Sequence, residues 1–162
     1  MILQIFTLIH VLISLVGIFT GFIVLFGLLA GKPFDGWTKI FLWTTVATSV
    51  TGFLFPFHHF MPSHAVGILS LLVLAGAIYA RYARHLAGPW RKTYVICAAI
   101  GLYFNVFVAI VQAFQKVPAL KDLAPTQSEP PFKIAQLVVL VLFILLATVT
   151  AIRFRNEPVH AT

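Results

Sequence analysis

The run from Ile2 to Ala30, ILQIFTLIHVLISLVGIFTGFIVLFGLLA, contains no Lys, Arg, Asp or Glu. A hydrocarbon core of ~30 Å takes about 20 helical residues to cross, so this run can span a bilayer on its own. It is too long for the core of a signal peptide, and no basic residue precedes it, the first being Lys32. It is therefore read as a retained span. Four further apolar runs follow, at Trp37 to Phe57, His64 to Tyr82, Tyr94 to Gln115 and Phe132 to Ile152. None shows the period-two alternation of a membrane β-strand, so helices rather than a closed barrel are expected. The expected fold is an all-α integral membrane protein: a five-transmembrane-helix bundle forming one domain over residues 1–162.

Composition agrees. Hydrophobic residues make up 60% of the chain and charged residues 9%, against about 25% charged in soluble domains. The formal charge of +7 lies in short loops between spans, where basic residues fix topology and face anionic lipid. No basic stripe is interleaved with aromatics, so the chain has no nucleic-acid groove and its partner is the lipid bilayer. Cys97 stands alone, which leaves no disulfide framework.

The breaks between spans are legible. Gly31 to Gly36 is a turn holding two glycines, a proline and the first charges. Pro62-Ser63 predicts a helix start with Ser63 as cap. The segment His85 to Lys92 contains Gly88-Pro89. The longest connection, Lys116 to Pro131, carries Pro118, Pro125, Pro130 and Pro131 and is expected to be irregular. With the N-terminus outside, eight Lys and Arg residues fall inside and three, Lys116, Lys121 and Lys133, fall outside. The excess of inner Lys and Arg predicts N-out, C-in. Trp37, Tyr79, Tyr82, Trp90 and Tyr94 then gather at the inner interface, where amphipathic rings prefer to sit.

Small and polar residues mark packed faces in lipid. On the first helix Thr7, His10, Ser14, Gly17 and Gly21 recur at three- and four-residue steps. Gly17/Gly21 and Gly27/Gly31 are GxxxG pairs, which suit close packing within the bundle, in a homo-oligomer or in a larger membrane complex. The second helix carries Thr44, Thr45, Thr48, Ser49 and Thr51, and the fourth places Gly101, Asn105, Gln112 and Gln115 on one face. Gln136 is a further candidate for that seam.

Depth brings several of these together. At ~1.5 Å per residue, His10 lies roughly 10–13 Å below the outer end of the first helix. On the same scale Asn105 lies roughly 16 Å above the inner end of the fourth, with Gln112 about 10 Å further out. The junction Phe55-Pro56-Phe57-His58-His59-Phe60-Met61-Pro62-Ser63-His64 puts three of the six histidines at the outer interface. The candidate ligand-binding residues are therefore His10, His58, His59, His64, Asn105 and Gln112, lining a pocket in the outer half of the bilayer. Polar groups in hydrocarbon must satisfy one another or a ligand.

Their chemistry is narrow. No thiolate accompanies the histidines, as a structural zinc site would want. None of the four acids, Asp35, Asp122, Glu129 and Glu157, lies within a span to complete a facial triad or an acid–base pair. Imidazoles in an aromatic-rich apolar setting suit haem ligation. In size, helix number and histidine use the chain loosely resembles the b561-type membrane cytochromes. That resemblance implies haem b held between helices and electron exchange with quinone, with His10 and His64 at one depth. Two features depart from it. Only His85 stands on the inner side for a second haem, and the segment Lys116 to Phe132 has no counterpart. The chain is also similar to uncharacterised small multi-pass bacterial membrane proteins, which implies a bacterial inner (cytoplasmic) membrane.

Three functional classes follow. One is a non-enzymatic membrane subunit or assembly factor. Another is a redox protein binding haem b, a metal ion or quinone in the outer pocket. The last is a small-solute or proton-linked transporter or sensor using the histidines, which titrate near neutral pH.

Overall fold

The computed structural model describes residues 1–56 and 62–154. It is built from α1 (Ile2–Leu29), α2 (Asp35–Gly52), α3 (Pro62–Ile78) with a π turn at Tyr79–Ala83, α4 (Trp90–Lys116), the short α5 (Pro118–Leu123) and α6 (Pro130–Arg153). No strand occurs among the described residues. Four helical stretches are long and apolar enough to cross a membrane: α1, Ser63–Ala83, α4 and α6. The remaining expected span is present as helix α2. It is 18 residues long with six hydroxyl side chains, and it is not among those four.

Helix ends shift by a few residues, for chemical reasons. α2 stops at Gly52 rather than Phe57, and Phe53 to Phe55 form a turn. α3 already includes Pro62, so Ser63 lies in its first turn rather than capping it; proline favours that first position, having no N–H to leave unpaired. The same preference at Pro118 starts α5 inside a connection expected to be irregular. At the end of α1, Gly31 takes φ 73° and its N–H bonds the Leu28 carbonyl at 3.0 Å. Lys32 N–H bonds the Gly27 carbonyl at 2.8 Å, which completes a Schellman motif. Gly31 is thus a helix terminator. Gly27 is folded under its own turn, where a Cβ would stand 2.6 Å from the Phe34 ring and 2.8 Å from the Lys32 carbonyl oxygen. Within the bundle the Gly27/Gly31 pair serves the turn after α1 rather than a helix crossing.

The long helices alternate in direction. α2 lies antiparallel along α1, from Phe34 beside Gly27 at one end to Thr51 beside His10 at the other. α4 is the central helix, touching α1, α2, α3 and α6, while α2 also packs on α3. α6 rests on α4 and α1 and buries only Phe143 and Thr150.

The apolar core lies towards the end where α1 finishes and α4 begins. Val24, Leu25, Leu28, Phe41, Leu74, Tyr94, Val95 and Leu102 are all essentially inaccessible there. The first fifteen residues of α1, up to Val16, include no buried residue. Gly21 lets the helices close. A Cβ at that position would stand 2.6 Å from Leu102 and 2.8 Å from Phe41.

Candidate functional site

The polar stripe of α1 turns into the bundle, and His10 meets α2 there. Its Nδ1 lies 2.8 Å from Thr51 Oγ1. The same Oγ1 is 2.7 Å from the Ala47 carbonyl oxygen, which can only accept. Thr51 has one hydroxyl hydrogen, and the carbonyl takes it. His10 must therefore donate through Nδ1–H, which leaves the ring's lone pair on Nε2. The imidazole stands edge-on to Phe55 at 5.1 Å and 86°, and Phe6 closes on the same ring at 4.9 Å.

Deeper in the bundle the hydroxyls of α2 meet the fourth and third helices. Asn105 is buried, and its Nδ2 donates to Thr45 Oγ1 at 3.3 Å. Ser49 Oγ and Ser70 Oγ share a bond of 3.0 Å. Gly17 makes this crossing close. A Cβ there would lie 3.2 Å from both Asn105 Nδ2 and Thr44 Oγ1. The Gly17/Gly21 pair is thus occupied inside the bundle, by α2 and α4.

His64, on the first turn of α3, is 6% exposed and packs beside Phe53, ring centres 5.8 Å apart. His10 and His64 thus lean on two different residues, Phe55 and Phe53, of the turn that ends α2. His58 and His59 lie outside the described residues. Gln112 departs from the seam expected of it and is exposed, two turns beyond Asn105. Gln136 Nε2 donates to the Phe107 carbonyl at 3.2 Å. Gln127, from the loop before α6, donates to the Val111 carbonyl at 2.9 Å. These amides tie α6 and its loop to α4. Among the described residues no three His, Cys, Asp or Glu side chains approach closely enough to hold a metal ion.

The opposite end of the bundle holds a constellation that sequence reasoning treated as topology alone. Arg81 sits in the π turn, only 8% exposed, and its Nη2 pairs with the well exposed Asp35 carboxylate. Its guanidinium lies 5.3 Å from the Tyr94 ring centre and 5.9 Å from that of Tyr82. Arg81 Nη1, Thr38 Oγ1 and the Tyr94 hydroxyl are buried together, the hydroxyl interacting with both Thr38 and Arg81, but none has a partner at full hydrogen-bond geometry. A cavity of about 370 Å³ opens here, lined by Asp35, Lys39, Arg81, Tyr82, His85 and Leu86. The available signal was an arginine at the end of an apolar run, opposite the lone acid of the first turn. Nothing in the pattern placed it indoors.

Comparison with protein-family models, with curated proteins and with solved structures finds no match for this chain.

Proposed function

We propose that the chain is a non-enzymatic subunit or assembly factor of a membrane complex, spanning the bilayer five times with the N-terminus outside. The observation that carries this reading is how the interior polar groups are used. His10, Thr45, Ser49, Ser70, Asn105 and Gln136 bond to hydroxyls or carbonyls of neighbouring helices, which is the chemistry of helix–helix adhesion in lipid. Since the Gly17/Gly21 crossing is taken up within the bundle, the partner surface is the face of α6 that the bundle leaves bare.

Five spans are supported by α2 itself. Its 18 residues reach ~27 Å at 1.5 Å each. Thr44, Thr48, Ser49 and Thr51 each bond a carbonyl four residues earlier, at 2.7–3.0 Å, which hides their polarity from lipid. In a Cys97→Ala background, a cysteine at Ser63 or Gln127 should react with an impermeant thiol reagent from outside, and one at Ala87 should not. A photoreactive side chain at Ile144 on α6 should cross-link to a second polypeptide. A chain that purifies alone and cross-links only to lipid would remove the subunit reading.

One observation favours a second reading. The Thr51 contact holds His10 in the tautomer whose Nε2 can ligate haem iron or another metal. On that reading, protein purified in mild detergent with haem supplied is coloured, and His10→Ala bleaches it. A colourless preparation without metal leaves His10 as a structural donor.

A further inference from the structure

The cavity at the basic end has the chemistry of an anion site. Its wall carries Arg81 and Lys39 against the single carboxylate of Asp35, with the His85 imidazole alongside. Burying a guanidinium is unfavourable unless its donors are met. Here Nη2 is bonded to a carboxylate that is itself 78% exposed, and Nη1 is buried with no partner at full hydrogen-bond geometry. The Tyr94 ring, 5.3 Å from the guanidinium, lowers that cost by cation–π attraction. Guanidinium geometry matches the paired oxygens of a phosphate, while lysine contributes a point charge.

The backbone holds the arginine in place by an unusual route. Arg84 N–H bonds the Tyr79 carbonyl five residues back, at 3.0 Å, which makes the turn around Arg81 a π turn. The π turn closes the C-terminal end of the helix, where such turns occur. His85 and Leu86 then follow with φ of 49° and 57°, a conformation uncommon outside glycine and better tolerated by histidine than by leucine. The Leu86 side chain is buried, and its N–H bonds the Ala80 carbonyl at 3.0 Å, so the turn is locked from within. The cavity's volume is about 370 Å³. That is ample for a phosphate ester.

We infer that the cavity between the start of α2 and the π turn binds a phosphate group, with Arg81 and Lys39 as its ligands and Asp35 as the carboxylate it displaces from Arg81. The phosphate belongs either to a phospholipid headgroup or to a soluble phosphate. The site stands at a bundle end ringed by Tyr79, Tyr82 and Trp90, so both sources can reach it. The inference does not depend on the subunit reading, since the site is complete within one chain.

The test uses the full chain in mild detergent and follows thermal unfolding. One arm titrates short-chain phosphatidylglycerol against short-chain diacylglycerol, which lacks the phosphate. The other titrates inorganic phosphate and glycerol 3-phosphate against chloride at equal ionic strength. Saturable stabilisation by phosphatidylglycerol alone assigns a lipid headgroup; saturation in the soluble arm assigns a free phosphate. In either case Lys39→Gln, on an exposed position, should weaken binding about tenfold. Arg81→Lys, which keeps the charge but loses the fork, should weaken it further. Should Arg81→Lys fail to fold, Lys39→Gln decides the matter alone. No stabilisation in either arm beyond the controls overturns the inference. So does stabilisation that Lys39→Gln leaves unchanged.

Discussion

The two ends of this bundle solve the burial of polar groups in opposite ways. At the end where α1 starts, neutral groups answer one another: His10 with Thr51, Asn105 with Thr45, Ser49 with Ser70. Apolar packing there is thin. At the end where α4 starts, apolar side chains fill the interior almost completely, and a single charge, Arg81, is set among them with its donors only partly met. Neutral hydrogen bonds can hold helices together without any ligand, since each group is finished by its neighbour. A half-satisfied buried cation cannot be explained by adhesion. The difference gives a second place to look for a ligand, at the Arg81 end, beside the one that the histidines mark.

The largest break in this comparison should come from adding volume at each end. Gly21→Val drives a side chain into Leu102 and Phe41, and overpacking of this kind costs about 1–3 kcal/mol. Gly52→Ala at the other end meets only His10 Cε1, at 3.9 Å. It should be neutral or stabilising by up to about 1 kcal/mol. Thermal unfolding in detergent compares the two directly. Equal losses would mean that the two ends are packed alike.

Next in size is the charge. Asp35→Asn removes the partner of Arg81, but the carboxylate is largely exposed, so the loss is screened to about 1 kcal/mol or less. Its signature is salt dependence. The wild-type protein should lose the increment as ionic strength rises, and the variant should show no such loss. A variant as salt-sensitive as the parent would mean that the pair contributes nothing.

A smaller effect is expected at the neutral end. Thr51→Val deletes the acceptor of His10, and hydrogen bonds between membrane helices average about 0.6 kcal/mol. The same change frees the imidazole tautomer. Nitrogen chemical shifts of His10 should move from a single Nδ1–H form towards a mixture, and an unchanged spectrum would show that Thr51 does not fix the ring.

The smallest effect concerns the loop before α6. The Thr126 hydroxyl, 2.7 Å from Glu129 Oε1, is the chief reason that this carboxyl is held below the usual carboxylate range. The Thr126 and Ser128 amides add to it at 3.3 and 3.1 Å. A lowered acid stabilises the folded form above its ordinary pKa, and that contribution fades as pH falls through the lowered value. Amide exchange at Thr126 and Ser128, normalised for the intrinsic pH effect, should therefore quicken only below the usual carboxylate range. In Glu129→Gln it should be quick at every pH. Protection that survives in Glu129→Gln would show that the carboxylate does not order the loop.

Much of the fold was legible because hydrocarbon imposes simple rules. Uncharged runs gave the helices, and glycine and proline gave their breaks. The inward faces of α1 and α4 were visible in Gly17, Gly21, Gly101 and Asn105. What failed to show were features decided by tertiary contact. Gln112 shares a helical face with Asn105, yet it is exposed where Asn105 is buried, and coverage by neighbouring helices is not a property of α4's own sequence. Gly31 completes a GxxxG spacing but ends its helix instead, since the same residue type serves both purposes. Arg81 was grouped with the loop charges because a helix read at ~100° per residue has no provision for a π turn.

That π turn has a consequence for how the gene can change. Between Tyr79 and Ala83 the helix carries one residue more than α-geometry needs. Losing any one codon there would let the end of the helix close in ordinary α turns, locally more regular than the present one. Everything beyond the cut would be rotated by ~100° relative to the rest of α3. Arg81 would swing off Tyr94, and Leu86 would leave the interior. A deletion that improves the helix would dismantle the end of the protein built around it, so this short segment should tolerate exchange of residue type far better than any change in length.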